Sequence, residues 1–285
     1  KPLFYMVRGE EIIFSSEPKG ILAYPGVRPA LDKKGLNEIF SIGPARTYGC
    51  GVFKDMEELL PGHFLICSAE GLRLKSYWKL ESRPHEDSYE ETIEKTSFLV
   101  QDAVRRQMVS DVPICTFLSG GVDSSLVSAI CASELRKQGK RLTTFSFDFV
   151  DNDKFFKANS FQPSQDRPFV DKMVEFLGSS HHYLECDNLT QADRLYDSVL
   201  AHDLPAMGDI DSSMLHFCSL VKEHNKVALT GECADEIFGG YPWFHKEECF
   251  RAHTFPWTMD LEARKVLLKD DFLDYLQMDE YVKET

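Results

Sequence analysis

The spacing of apolar and polar positions changes near residue 85, and the change divides the chain. Before it, short apolar runs at Pro2 to Val7, Glu11 to Ser15, Phe64 to Ser68 and Leu72 to Trp78 are separated by punctuation at Gly9, Pro25-Gly26, Pro61-Gly62 and Gly71. Runs bounded this way predict strands and hairpins. Two helical stretches, Pro18 to Tyr24 and Asp32 to Ile42, interrupt them. A polar segment over 81–88, with Pro84 and the acids Glu81, Glu86 and Asp87, reads as a linker. From Tyr89 the pattern becomes helix–strand alternation. Helical spacing covers 89–109, 125–137, 166–177, 190–201 and 212–224, and apolar runs at 112–118, 142–149, 181–186 and 226–230 predict strands. Strands alternating with helices predict an α/β, doubly wound, mostly parallel sheet that binds ligands at the carboxyl ends of its strands. The polar stretch 151–165 is long enough to be a mobile loop.

Two of these strands run into glycine turns. The first is Leu118-Ser119-Gly120-Gly121-Val122-Asp123-Ser124-Ser125. A strand delivers the chain to a tight turn, and a helix then begins with unpaired N–H groups and partial positive charge, a natural anion site. The glycines let backbone approach a phosphate, and the Ser119, Ser124 and Ser125 hydroxyls add donors. Asp123 would repel an anion unless a cation lay between them, and Mg²⁺ bound through a carboxylate and phosphate oxygens accounts for it most simply. An ordinary capped turn would leave the carboxylate and the hydroxyls unexplained. The second turn is Thr230-Gly-Glu-Cys-Ala-Asp-Glu-Ile-Phe-Gly-Gly-Tyr241. Glu232, Asp235 and Glu236 fall within about one helical turn of each other, costly unless a metal, a proton and a cationic substrate group share them. A donor-rich turn paired with an acid-rich one predicts a nucleotide–Mg²⁺ site.

Composition narrows the classes. The 285 residues are 43% apolar and 27% charged, as expected of a globular protein of one or two domains. The net charge of −14, from 32 Lys+Arg and 46 Asp+Glu, argues against nucleic acid as a primary partner but leaves room for a local basic groove. No apolar run approaches the ~20 residues of a membrane span. The eight cysteines contain no C-x-x-C pair, a usage that fits a reducing cytoplasm better than a disulfide framework or a zinc site. Cys50 and Cys67 read as structural, His181-His182 as a packed and capped pair, and Trp243, Phe244 and His245 as packing for the helix the second turn starts. Helix capping accounts for one of Asp209 and Asp211, and substrate contact is open for the other.

Phe117 to Ser125 resembles the pyrophosphate-binding loop of the ATP pyrophosphatase superfamily, and Thr230 to Tyr241 closely resembles the signature of glutamine-dependent asparagine synthetases. Val104 to Pro113 and Asp203 to Ser213 look like that family too, while Lys1 to Tyr5 and Ser15 to Ile21 look like the later part of its glutaminase domain. The resemblance implies an adenine nucleotide alpha hydrolase-like fold at 89–285, incomplete at its carboxyl end, preceded at 1–80 by a β-rich remnant of an N-terminal-nucleophile glutaminase domain. It implies adenylation of aspartate to β-aspartyl-AMP with release of pyrophosphate, followed by amidation with glutamine-derived ammonia. Carried over, Ser119, Gly120, Gly121, Asp123, Ser124 and Ser125 would hold pyrophosphate, and Asp123 and Asp235 would share Mg²⁺. Leu118, Phe147, Thr230 and Gly231 would line the adenosine pocket. Glu232 would be the general base toward ammonia, and Glu236 a contact for the α-ammonium of aspartate. Phe147 stands where many relatives have a smaller aliphatic residue, and Cys233 where glycine is common. Lys1 occupies the place of the glutaminase's nucleophilic cysteine, and no segment after Tyr241 resembles the part supplying a phosphate-neutralising lysine. This polypeptide alone is therefore expected to be weakly active or inactive and not to hydrolyse glutamine. A homodimer is compatible with the sequence, which is itself silent on oligomeric state. The alternatives are a related amide-forming ligase, β-lactam synthetase-like or peptide-modifying, acting on a different carboxylate, and a binding module without turnover.

Overall fold

Four parallel strands carry the candidate chemistry. They are, among strands numbered along the chain, β6 (Ile114–Phe117), β7 (Thr143–Phe149), β8 (Ser180–Cys186) and β9 (Val227–Leu229), arranged in the order β8-β7-β6-β9. From β6 the chain adds β7 and β8 on one side and returns to add β9 on the other. The direction of winding reverses between β6 and β9, and crevices open at such a switch point. In the structure, a computed structural model, residues 2–159, 162–252 and 254–285 are described. Lys1 lies outside the described residues, as do positions 160 and 161 of the predicted 151–165 loop, whose described part includes the short helix Asn152–Phe155.

The inner strands β6 and β7 are buried on both faces, which explains their nearly continuous apolar runs. Ile114 and Leu118 pack with Val104, Ile130, Leu142 and Val170, while Cys115 packs with Phe145, Phe217 and Val221. The polar exceptions are paired: Thr116 Oγ1 lies 2.8 Å from Ser128 Oγ, and Thr144 Oγ1 lies 2.9 Å from Ser179 Oγ. The helix Tyr89–Gln107 opens with a capping box, Ser88 Oγ accepting from Glu91 N and Glu91 Oε2 accepting from Ser88 N. The helix Arg167–Leu177 stops at Gly178, whose φ of 61° is the left-handed conformation that favours glycine.

By contacts, the chain divides into two compact units, Pro84–Leu195 with Asp209–Lys246, and Lys1–Arg83 with Tyr196–Gly208 and Glu247–Thr285. The second unit contains an antiparallel sheet in the order β2-β1-β3, from β1 (Phe4–Arg8), β2 (Glu11–Ser15) and β3 (Met56–Glu58), and the hairpin of β4 (His63–Ser68) with β5 (Gly71–Ser76). One core gathers Phe4, Met6, Ile13, Ile21 and Met56, and another gathers Ile42, Leu261, Leu276, Met278 and Val282. Glu38 is 1% exposed, yet its carboxylate accepts from Thr47 N at 2.7 Å, from Thr47 Oγ1 at 2.6 Å and from the Tyr281 hydroxyl. The boundary between the units falls at Arg83 and Pro84, and the residues from 247 onward fall in the same unit as the amino-terminal segment.

Candidate active site

Both glycine turns leave the carboxyl ends of neighbouring strands, β6 and β9, at the switch point. After β6, Gly120 takes φ +80°, and a Cβ there would come within 2.6 Å of Phe169 Cβ and 2.8 Å of Val170 N. Only glycine fits this passage. The helix Val122–Lys137 then begins with no side-chain cap, leaving its first N–H groups toward the cavity end. Ser124 Oγ lies 2.9 Å from Ser119 Oγ and accepts from Ser119 N at 3.1 Å, so the two hydroxyls hold the turn closed. Gly121 N donates to Ser119 Oγ at 3.4 Å.

The turns pack against each other at Gly231, where a Cβ would lie 2.8 Å from both Asp123 Cβ and Ser124 N. That closeness puts Asp123 and Asp235 on one wall of a cavity of about 500 Å³, with Glu232 and Thr230 beside them. Burial first, and then the charge of Asp235, push the Asp123 carboxyl above its usual value. Two carboxylates in mutual repulsion beside a helix N-terminus are a donor set that fits Mg²⁺, which takes one or two carboxylates together with phosphate oxygens. Among the described residues no cluster of three or more His, Cys, Asp and Glu forms an all-protein metal cage.

Part of the cavity lining is aromatic. Phe147 meets Phe149 at 5.4 Å and Phe217 at 5.3 Å between ring centres, and Phe217 meets Phe117 at 4.6 Å; all four line the cavity. An aromatic, apolar surface beside an anion-binding turn suits an adenine base. Of the residues expected from sequence, Leu118, Ser119, Gly121, Asp123, Ser124, Phe147, Thr230, Gly231, Glu232 and Asp235 line the cavity. Gly120, Ser125 and Glu236 do not. Gly120 shapes the turn, and the Ser125 hydroxyl is enclosed with no hydrogen-bond partner. The Glu236 carboxylate accepts from the Tyr241 hydroxyl at 3.1 Å, and it is Tyr241 that reaches the wall. Burial, together with Glu236 and the charges of Asp235 and Glu232, pushes the Tyr241 phenol up to about 12.

Sequence reasoning passed over several wall residues. Among the described residues Arg167 is the one Lys or Arg on the wall, its guanidinium 3.6 Å above the Tyr183 ring. Asp148, at the carboxyl end of β7, lines the cavity, as do Asp166 and Gln191. The rule that ligands sit beyond strand ends could have flagged Asp148; nothing in the local pattern marks Arg167 or Gln191. Asp209 lines the cavity and Asp211 does not, while Gln191 Nε2 donates to the Asp209 carbonyl at 2.9 Å. Cys233 sits on the wall with φ 71°, a conformation that costs a non-glycine residue about 1 kcal/mol and explains why glycine suits the position. His181 is a packed residue: Nδ1 lies 2.7 Å from Thr144 Oγ1 and Nε2 lies 3.0 Å from Ser146 Oγ. Tyr241 stacks on Trp243 at 4.3 Å, and its hydroxyl donates to Glu236 of the signature helix Ala234–Phe238. Among the described residues no helix is long and apolar enough to cross a membrane.

Comparisons with known proteins agree with this architecture. Residues 96–285 match the family model described as asparagine synthase, and residues 1–78 match the glutamine amidotransferase domain. The chain is 48% identical to asparagine synthetase [glutamine-hydrolyzing] 3 of Bacillus subtilis over 99% of its own length and 46% of that protein. It is 30% identical to the amidase chyE of Penicillium rubens over 87% of this chain and 37% of that one. It is 28% identical to asparagine synthetase [glutamine-hydrolyzing] 1 of Arabidopsis thaliana over 76% of this chain and 40% of that one. The chain thus spans less than half the length of these relatives. The parallel sheet belongs to the adenine nucleotide alpha hydrolase-like fold of the matched domain. With its strand order, its paired glycine turns and a match over 96–285, the chain belongs to the asparagine synthase family.

Proposed function

We propose that this chain carries the ATP-dependent amide-forming site of an asparagine synthetase. The observation that supports it most is the contact at Gly231, which sets the donor-rich turn after β6 against the acid-rich turn after β9 on one cavity. In this reading ATP lays its base against Phe147 and the Leu118 and Thr230-Gly231 backbone. Its β- and γ-phosphates meet the free N–H groups after Gly121 and the hydroxyls of Ser119 and Ser124 once these release each other. Ser125, enclosed as it is, reaches phosphate only after a rotamer change. Asp123 and Asp235 would hold Mg²⁺, which supplies charge neutralisation at the phosphates.

The side-chain carboxylate of aspartate attacks the α-phosphorus, and the bond to the bridging oxygen breaks, giving β-aspartyl-AMP and pyrophosphate. Ammonia derived from glutamine then adds to the acyl carbon, and AMP leaves. Glu232, on the wall and next to the turn, takes the proton the nitrogen loses. The loop grips the pyrophosphate that departs rather than a phosphoryl group that is transferred, so it needs no P-loop lysine. The substrates are small molecules, and the setting is cytoplasmic. The organisation we propose is a glutaminase part at 1–80, a linker at 81–88 and the synthetase part at 89–285, supported by the separate family matches.

A second reading is kept, an amide-forming ligase with a different carboxylate substrate, since the chain is also 30% identical to a protein of another name, an amidase. Pyrophosphate release by the full-length protein, measured with ATP and a panel of carboxylates, separates the two. Release that depends on aspartate supports synthesis of asparagine; release only with another carboxylate supports the ligase reading; ATP binding without release with any carboxylate overturns both.

A further inference from the structure

The cavity wall carries a phenol, Tyr241, at the end of the segment where the family resemblance implies a carboxylate, Glu236. Glu236 lies off the wall, and its Oε1 accepts the Tyr241 hydroxyl at 3.1 Å. The phenol ring is stacked on Trp243 at 4.3 Å and 22°, and Phe244 lies beyond at 6.4 Å, so the ring is held from its face as well as from its hydroxyl. A phenol whose proton is committed to a carboxylate can offer the cavity only the lone pairs of its oxygen. It therefore accepts hydrogen bonds and cannot donate one to a phosphate or carboxylate. The neighbouring wall residues Asp235 and Glu232 are carboxylates as well, which favours a cationic donor at this end of the cavity.

We propose that Tyr241 is the residue that receives the α-ammonium of the amino-acid substrate, with Glu236 as a positioning residue that acts through the phenol. This rests on the reading of the cavity as an amino-acid adenylation site. It replaces a direct contact between Glu236 and the substrate, because Tyr241 lines the cavity and Glu236, whose Oε1 accepts the Tyr241 hydroxyl, does not. It also explains why a tyrosine follows the paired glycines: the chain reverses at Gly239, with φ +69°, and Gly240 passes over the Asp235 carboxylate, bringing position 241 back to the cavity.

The test is pyrophosphate release by the full-length protein with aspartate and ATP varied in turn, for wild type, Tyr241→Phe, Glu236→Gln and Glu236→Ala. Succinate, which keeps both carboxylates and lacks the ammonium, is added as a competitor of aspartate. Tyr241→Phe is expected to raise KM for aspartate about 10- to 100-fold, the loss of one hydrogen bond to a charged group. KM for ATP and the inhibition constant for succinate are expected to hold. Glu236→Gln keeps an acceptor for the phenol and is expected to raise KM for aspartate less than Glu236→Ala does. Equal rises in KM for aspartate and ATP, parallel weakening of succinate, or an unchanged KM for aspartate would overturn the proposal while leaving the adenylation reading intact. A wild type that releases no pyrophosphate with any amino acid would overturn both.

Discussion

An alanine at position 231 would place a methyl group where the two turns touch. Its Cβ would stand 2.8 Å from Asp123 Cβ, 2.8 Å from Ser124 N and 2.9 Å from the Asp123 carbonyl carbon. These neighbours are backbone or bonded to it, so no side-chain tip can swing aside. Restoring an ordinary contact of about 3.4 Å requires the turns to part by about 0.6 Å, a local overpacking of the kind that costs about 1–3 kcal/mol. The displacement falls on Asp123 and on the N-terminus of Val122–Lys137, which is where the reaction needs its geometry. Since a misplacement of about 1 Å can cost roughly 100-fold in rate, a loss of roughly 10- to 100-fold in adenylation is expected. The assay is aspartate-dependent pyrophosphate release by the full-length protein, with the melting temperature measured alongside. Gly139→Ala is the control: φ is +69° there and a Cβ would meet nothing within 4 Å, so that variant should lose about 1 kcal/mol of stability without a selective loss of rate. A Gly231→Ala protein that releases pyrophosphate at the wild-type rate, or that loses no more rate than Gly139→Ala, would refute the account of the turn contact.

Asp123→Ala or Asp235→Ala in the full-length protein is expected to abolish pyrophosphate formation while glutamine hydrolysis persists; simultaneous loss of both activities would count against separate sites for the two chemistries. His181 predicts a pH dependence of stability. Burial, followed by the charges of Arg167 and His182, lowers its pKa from 6.5 to about 4. The unfolded chain therefore takes up the proton first as pH falls, so this stability is complete above about pH 6.5 and lost on the way to about pH 4. After discounting for partial exposure the loss is about 2 kcal/mol, read as a shrinking difference between wild type and His181→Asn in urea unfolding from pH 7 to pH 4. A difference that does not change with pH would show that the imidazole is not held neutral.

The parts of the fold written in local pattern were legible in the sequence. Ile114 to Leu118 is an apolar run, Gly120 and Gly121 interrupt it, and a helix follows; each step has a short-range cause. The same holds for Val227–Leu229 and the Thr230-Gly231 turn. What escaped depends on residues far apart in the chain. β3 has only three residues, Met56–Glu58, and exists because it pairs with β1. Glu38 has the composition of a surface position but is enclosed by Tyr281 from the other end of the chain. Arg167 gives no motif, since its place on the wall comes from the helix that follows the loop. The acid cluster was visible, yet the side chain that faces the cavity from its end, Tyr241 rather than Glu236, is set by the reversal at Gly239 and Gly240.

The central claim is that a carboxylate oxygen attacks the α-phosphorus of ATP in the cavity between the two turns. It is tested most directly by supplying the full-length protein with ATP, an ammonia source and aspartate labelled with ¹⁸O in its side-chain carboxylate, and recovering the nucleotide product. The account predicts one ¹⁸O in the phosphate of AMP and none in pyrophosphate. Label in inorganic phosphate accompanied by ADP, or AMP free of label, would contradict it.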